Sequence, residues 1–158
     1  MATRKTHPEE QQSLTASLVV DHGKEALNYY KKAFGAQVVG EFYAPEGDKL
    51  MHASLKIGPS HFWVTETMPA SRPPSPGGDP SVVMNIYTDD CDAMYDRAIQ
   101  AGGKSKQAPA DQFWGDRFGL LADPFGHLWG IVTHQEDVSP DELKKRAREQ
   151  SAHSAHHR

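Results

Sequence analysis

The chain has 158 residues, 37% of them hydrophobic and 24% charged, with 17 Lys and Arg against 21 Asp and Glu for a net charge of −4. Domains commonly run to roughly 100–200 residues, so one domain is expected, and the acidic balance argues against a nucleic-acid partner. No apolar stretch reaches the ~20 residues of a membrane helix, the N-terminus lacks the ~7–15-residue apolar region of a secretory signal, and a single cysteine suits a reducing compartment; a soluble, cytoplasmic protein is expected.

Residues 1–12 are polar and charged without regular apolar spacing, and read as a flexible N-terminus. The remainder to residue 137 reads as one domain of two modules, 13–67 and 81–137, joined at 68–80. The first module opens with an apolar run, Ala16–Val20, and turn-forming Asp21-His22-Gly23. Ala26, Leu27, Tyr30, Ala33 and Phe34 then share one face of a helix that Gly35 closes. Strands follow at Gln37–Tyr43, Leu50–Ile57 and His61–Glu66, separated by Pro45-Glu46-Gly47-Asp48 and Gly58-Pro59-Ser60.

Five prolines between Met68 and Pro80 make that stretch a linker, because proline cannot sit in a helix interior or a central strand. The second module repeats the plan. Val82–Tyr87 is a strand, Asp89 to Ala101 is a helix with Met94, Ala98 and Ala101 on one face, and Gly102-Gly103 ends it. Further strands are expected around Lys104–Gln107, Phe118–Ala122 and Leu128–His134. Cys91 lies among Asp89, Asp90 and Asp92, whose charge disfavours a thiolate, so a structural cysteine is expected. Residues 138–158 read as a polar helical or disordered tail. Its basic run Lys144-Lys145-Arg146 is offset by Asp141, Glu142 and Glu149 and reads as a solvated face. His153, His156 and His157 are a weak metal-binding signal.

The order β-α-β-β-β thus occurs twice, an α+β fold. One helix covers one face of a four-stranded sheet, so the other face needs a second cover. Two curved mixed sheets around a concave trough, with helices outside, would hold a small molecule there.

Two segments carry a family resemblance. Leu27-Asn28-Tyr29-Tyr30-Lys31-Lys32-Ala33-Phe34-Gly35-Ala36 resembles the first-helix signature of the vicinal-oxygen-chelate superfamily, which includes glyoxalase I, extradiol dioxygenases, fosfomycin-resistance enzymes and bleomycin-resistance proteins. Ala122-Asp123-Pro124-Phe125-Gly126-His127-Leu128-Trp129 resembles its turn before the last strand, where Asp, Pro and Gly favour a tight type I turn. With Met51-His52-Ala53 and the run Asp111 to Arg117, the chain looks most like the PhnB-like branch. The resemblance spans about Leu14 to Glu136 and implies the fold; function varies too widely across such proteins to be inherited.

The resemblance also implies where a divalent metal would be held: by His, Glu or Gln on the first and fourth strand of each module. The Glu expected four residues after Gly126 falls on Gly130, its counterpart falls close to Trp63, and the first-strand positions fall near Thr15 and Val83. Glycine, tryptophan and valine offer no donor, and a catalytic metal needs about three protein ligands. No metal or other cofactor is therefore expected at the standard site. Only His52 and His61 offer a displaced one.

Strand alternation places Met51, Ala53, Leu55 and Ile57 toward the helix and His52 and Ser54 into the trough, with His61 and Trp63 sharing a face on the next strand. His127 is expected to make a structural hydrogen bond, and Trp129 to pack with Ile131 in the core. Phe113 and Trp114 lie in a loop positioned to wall the trough, and Phe118 follows them. Aromatic faces suit planar or apolar ligands. The candidate ligand-binding set is therefore His52, Ser54, His61, Trp63, Phe113, Trp114 and Phe118.

Three readings follow. The first is a metal-independent protein of the bleomycin-resistance type that sequesters a small organic molecule. The second is a lyase, isomerase or dioxygenase of the same fold using a displaced metal or His52. The third is a dimerisation module with the trough filled by a partner chain. A homodimer is expected in any case, with the modules paired within one chain or exchanged between two.

Overall fold

The computed structural model describes residues 12–155, so the N-terminal segment 1–11 and the tail histidines His156 and His157 lie outside the described residues. Within them the order is β1 (Ser17–Val20), α1 (Gly23–Phe34), β2 (Gln37–Tyr43), β3 (Leu50–Ile57), β4 (Ser60–Glu66), β5 (Val83–Tyr87), α2 (Cys91–Gln100), β6 (Lys104–Asp111), β7 (Asp116–Ala122), β8 (Leu128–His134) and α3 (Pro140–Ala155). The strands form two four-stranded mixed sheets, ordered β1-β4-β3-β2 and β5-β8-β7-β6, the α+β arrangement of two βαβββ modules. The described residues divide into two compact units, 12–80 with 124–127, and 81–123 with 128–155.

In the first unit α1 covers one sheet face because its apolar side chains recur at helical spacing. Ala26, Leu27, Tyr29, Tyr30, Ala33 and Phe34 are all buried, against Leu18, Val20, Ala53, Leu55, Phe62 and Val64 from the strands. Gly35 ends the helix in the left-handed conformation at φ 65°, where its N–H reaches the Lys31 carbonyl. The expected inward row of β3 is corrected in one respect. Phe42 pairs with His52 but Tyr43 with Leu50, so Met51 is the extra residue of a β-bulge. Leu50, fully buried, takes the place beside the helix, and Met51 is only half-buried.

The turn at Asp123-Pro124-Phe125-Gly126 contributes its residues 124–127 to this unit. The Phe125 ring meets Tyr29 edge-on at 6.2 Å, and His127 Nε2 donates to the Val19 carbonyl at 2.7 Å. His127 therefore makes the structural bond expected of it.

In the second unit α2 starts at Asp90, whose carboxylate accepts from the Ala93 N–H at 3.0 Å. Cys91, Met94, Tyr95 and Ala98 are buried against Leu121, Trp129 and Ile131. Trp129 is 1% exposed, and its indole donates to Asp123 Oδ2 at 2.9 Å. β6 runs four residues beyond the expected Lys104–Gln107, through Pro109. It is an edge strand interrupted by register shifts, which is where a residue without an N–H fits a sheet. The tail is a helix over Pro140–Ala155 with no fully buried residue. Arg146 anchors it, donating to Glu136 Oε1, to Glu142 Oε1 at 3.0 Å and to the Phe113 carbonyl at 3.3 Å. No described helix is long and apolar enough to cross a membrane.

Candidate functional site

Each sheet has a face turned away from its helix; four candidate residues share that face in the first unit, and the other three lie in the second unit on β7 and the turn before it. In the first unit Ser54 pairs with Trp63 and Lys56 with His61 across β3 and β4, while Phe42 pairs with His52 across β2 and β3. The opposite parity holds the buried Ala53, Leu55, Phe62 and Val64. His52, Ser54, His61 and Trp63 therefore share one half-buried face. The imidazole of His52 stands edge-on to the indole of Trp63, with ring centroids 5.2 Å apart and planes at 71°. Phe42, 61% exposed, extends the aromatic surface.

Phe113, Trp114 and Phe118 gather in the second unit. Phe113 and Trp114 lie in the turn between β6 and β7, with ring centroids 5.2 Å apart, and Trp114 meets Phe118 at 6.4 Å. The Trp114 indole donates to Asp116 Oδ2 at 3.2 Å, which holds it to the sheet. Asp116 is 8% exposed and also takes His134 Nδ1 at 2.7 Å, while His134 Nε2 donates to Asp137 Oδ1 at 2.8 Å. Two carboxylates, Asp116 first, raise the His134 pKa by stabilising the imidazolium. With both ring nitrogens engaged, His134 acts as a clamp between β7, β8 and the segment leading to α3. It has no free nitrogen for proton transfer.

The metal positions do not fit a metal. Ser17 pairs with Trp63 and Asn85 with Gly130, and each stands six residues before the first residue of its module's helix. Ser17 and Asn85, rather than Thr15 and Val83, are thus the first-strand counterparts. At Gly130 a side chain would need its neighbours to move: a Cβ would lie 2.1 Å from Asn85 Oδ1 and 2.7 Å from Phe118 Cε2. Trp63 occupies the equivalent place in the first unit. Among the described residues no group of three or more His, Cys, Asp or Glu is placed to hold a metal ion, so His52 and His61 gain no third ligand.

Cys91 is buried, with its thiol donating to the Ile131 carbonyl at 3.1 Å. Burial foremost, then the charge of Asp92, pushes its pKa up, so it is an unreactive thiol. Two open clefts lie elsewhere: one of about 390 Å³ lined by His22, Lys24, Asp48, Lys49 and Glu66, and one of about 340 Å³ lined by Tyr87, Asp89, Thr133 and His134. Neither includes His52 or Trp63. The first is crossed by the Lys24–Asp48 ion pair at 2.9 Å.

Sequence reading missed Lys56, Asn85 and the Asp116–His134 pair. Alternation from His52 and Ser54 already assigns Lys56 to their face, and equal spacing from the two helices finds Asn85. The Asp116–His134 pairing depends on β7–β8 register, for which the sequence carries no local signal.

The profile of the Glyoxalase/Bleomycin resistance protein/Dioxygenase superfamily matches residues 12–131. The uncharacterized protein Rv0887c of Mycobacterium tuberculosis is 38% identical over 138 residues, which cover 84% of this chain and 80% of that protein. The crystal structure of TioX from Micromonospora sp. ML1 superposes with a TM-score of 0.62 at 25% identity, covering 78% of this chain and 99% of that one. The PhnB protein of Bacillus cereus shares the fold at a TM-score of 0.61 and 16% identity, covering 77% of this chain and 99% of that one.

Proposed function

We propose that this chain, which belongs to the glyoxalase/bleomycin resistance/dioxygenase superfamily, is a small-molecule-binding protein that holds an organic ligand without a metal at the superfamily's usual position. The observation that carries the reading is the His52–Trp63 pair, an imidazole edge-on to an indole at 5.2 Å on a half-buried sheet face. An indole there supplies flat apolar area for stacking, and the imidazole supplies a polar group that orients what stacks. Sequestration of a planar antibiotic or aromatic metabolite is the activity this arrangement serves best.

Titration with a panel of such compounds should give at least one saturable change in tryptophan fluorescence. Trp63→Phe should remove most of that signal, and His52→Ala should weaken binding by about tenfold or less. If Trp63→Phe leaves the signal and affinity of a confirmed ligand untouched, this face is not the binding surface. Tag-free protein should carry less than about 0.2 equivalents of tightly bound divalent metal, because too few donors converge. Stoichiometric metal that survives chelator dialysis, and is lost on replacing His52 or His61, would overturn the metal-free part of the reading.

A further inference from the structure

We infer that the ligand class of this face is a planar aromatic anion, such as an aromatic carboxylate. The inference deepens the binding reading above and rests on it. The first sheet segregates its charges. Its four strands carry two carboxylates, Glu41 and Glu66. Glu41 pairs with the fully buried Ala53 and accepts from the Tyr43 hydroxyl at 3.0 Å, while Glu66 accepts from the Leu50 backbone N–H. Both belong to the side of the sheet that faces α1.

The opposite face holds three nitrogen bases, His52, Lys56 and His61, and no acid from any of the four strands. Lys56 and His61 are cross-strand partners one row to one side of Trp63, and His52 lies one row to the other. Two residues along a strand span about 7 Å. A fused two-ring system stacked on Trp63 thus reaches an N–H donor at either end. Among the described residues no carboxylate forms an ion pair with Lys56, so its ammonium is available to a ligand's acid group. Charge-assisted bonds from an ammonium to a carboxylate are the strong ones, and they are the bonds a neutral or cationic ring cannot make. A cation–π preference at Trp63 would give the reverse order, so the sign of the preferred charge is a direct test.

The test is calorimetric titration of the full chain with three near-isosteric probes: 2-naphthoate, 2-naphthamide and 2-naphthylmethylammonium. Naphthoate should bind about fivefold or more tightly than the amide at low salt, with the ammonium weakest. Lys56→Met should bring naphthoate to within about twofold of the amide while leaving the amide unchanged, and added salt should narrow the gap in the unsubstituted chain. Equal binding of all three probes that is lost in Trp63→Phe overturns the anion preference and leaves the binding reading standing. So does tightest binding of the ammonium. No heat with any probe at millimolar concentration overturns both.

Discussion

Replacing Gly130 by alanine tests whether the second sheet has closed the position where the superfamily's enzymes would present a carboxylate. Gly130 lies on the central strand β8, between Asn85 on β5 and Leu120 on β7, and is buried. A methyl group there would approach Asn85 Oδ1 to 2.1 Å and Phe118 Cε2 to 2.7 Å, against about 3.4 Å for ordinary contact. The Asn85 residue is exposed and its amide can swing away at little cost. Phe118 is half-buried against Trp114 and must retreat by about 0.7 Å. Overpacking of this kind costs about 1–3 kcal/mol, and the smaller unfolded-state entropy of alanine returns about 0.4–1 kcal/mol because φ at Gly130 is not positive. A net loss of about 1–2 kcal/mol is expected, seen in urea as a lower midpoint with an unchanged slope. Adding Asn85→Ala should recover only a minor part, and Phe118→Leu more, since the ring is the obstacle that cannot rotate away. A neutral or stabilising Gly130→Ala would refute the argument, for it would mean an open space that a ligand-bearing side chain could occupy.

Trp129→Phe should destabilise by about 2–4 kcal/mol in the same assay, from the vacated volume and the indole donor lost to buried Asp123; a change under about 0.5 kcal/mol would contradict the assigned core role. His134 has a raised folded-state pKa, so its clamp contributes fully below the unfolded value of about 6.5 and is lost as pH rises through the folded value. NMR titration should place the His134 midpoint above that of a free imidazole, and His134→Gln should flatten the dependence of Tm on pH across that window; an unshifted midpoint would remove the clamp. A two-fold dimer is the expected assembly, and sedimentation that finds only the 17.5 kDa monomer at micromolar concentration would count against it.

Much of the fold was legible because the local signals agreed with one another. The bounds of β2, β3 and β8 follow from alternation and turn residues alone, and α1 from five apolar positions closed by Gly35. What alternation does not carry is a slip in the count. The bulge at Met51 moves Leu50 under the helix, and the path of β6 through Pro109 depends on its being an edge strand, which is a property of sheet order. The candidate site divides along the same line. His52, Ser54, His61 and Trp63 share a face by strand parity, which the sequence displays. Asp116 and His134 meet only through the β7–β8 pairing, from positions 18 residues apart.

The two sheets share one topology, yet the equivalent place on each holds a different residue, and the proposed ligand face follows from that difference. On the second sheet the position is glycine, and the neighbouring Asn85 amide and Phe118 ring occupy the space a side chain would take. Gly130 itself therefore offers neither a donor nor a flat area. On the first sheet the position is Trp63, the largest side chain available, projecting from a central strand between rows that carry His52 on one side and Lys56 with His61 on the other. Neither residue offers a donor to a metal, and the two have different physical consequences. Glycine leaves its place to the side chains on either side, whereas tryptophan presents the indole face on which the proposed ligand would stack. The charge pattern follows the second outcome, with the acids of β2 and β4 turned toward α1 and the bases left around the indole. The first sheet thus leaves only His52 and His61 as metal donors on the Trp63 face, short of the about three protein ligands a catalytic metal needs.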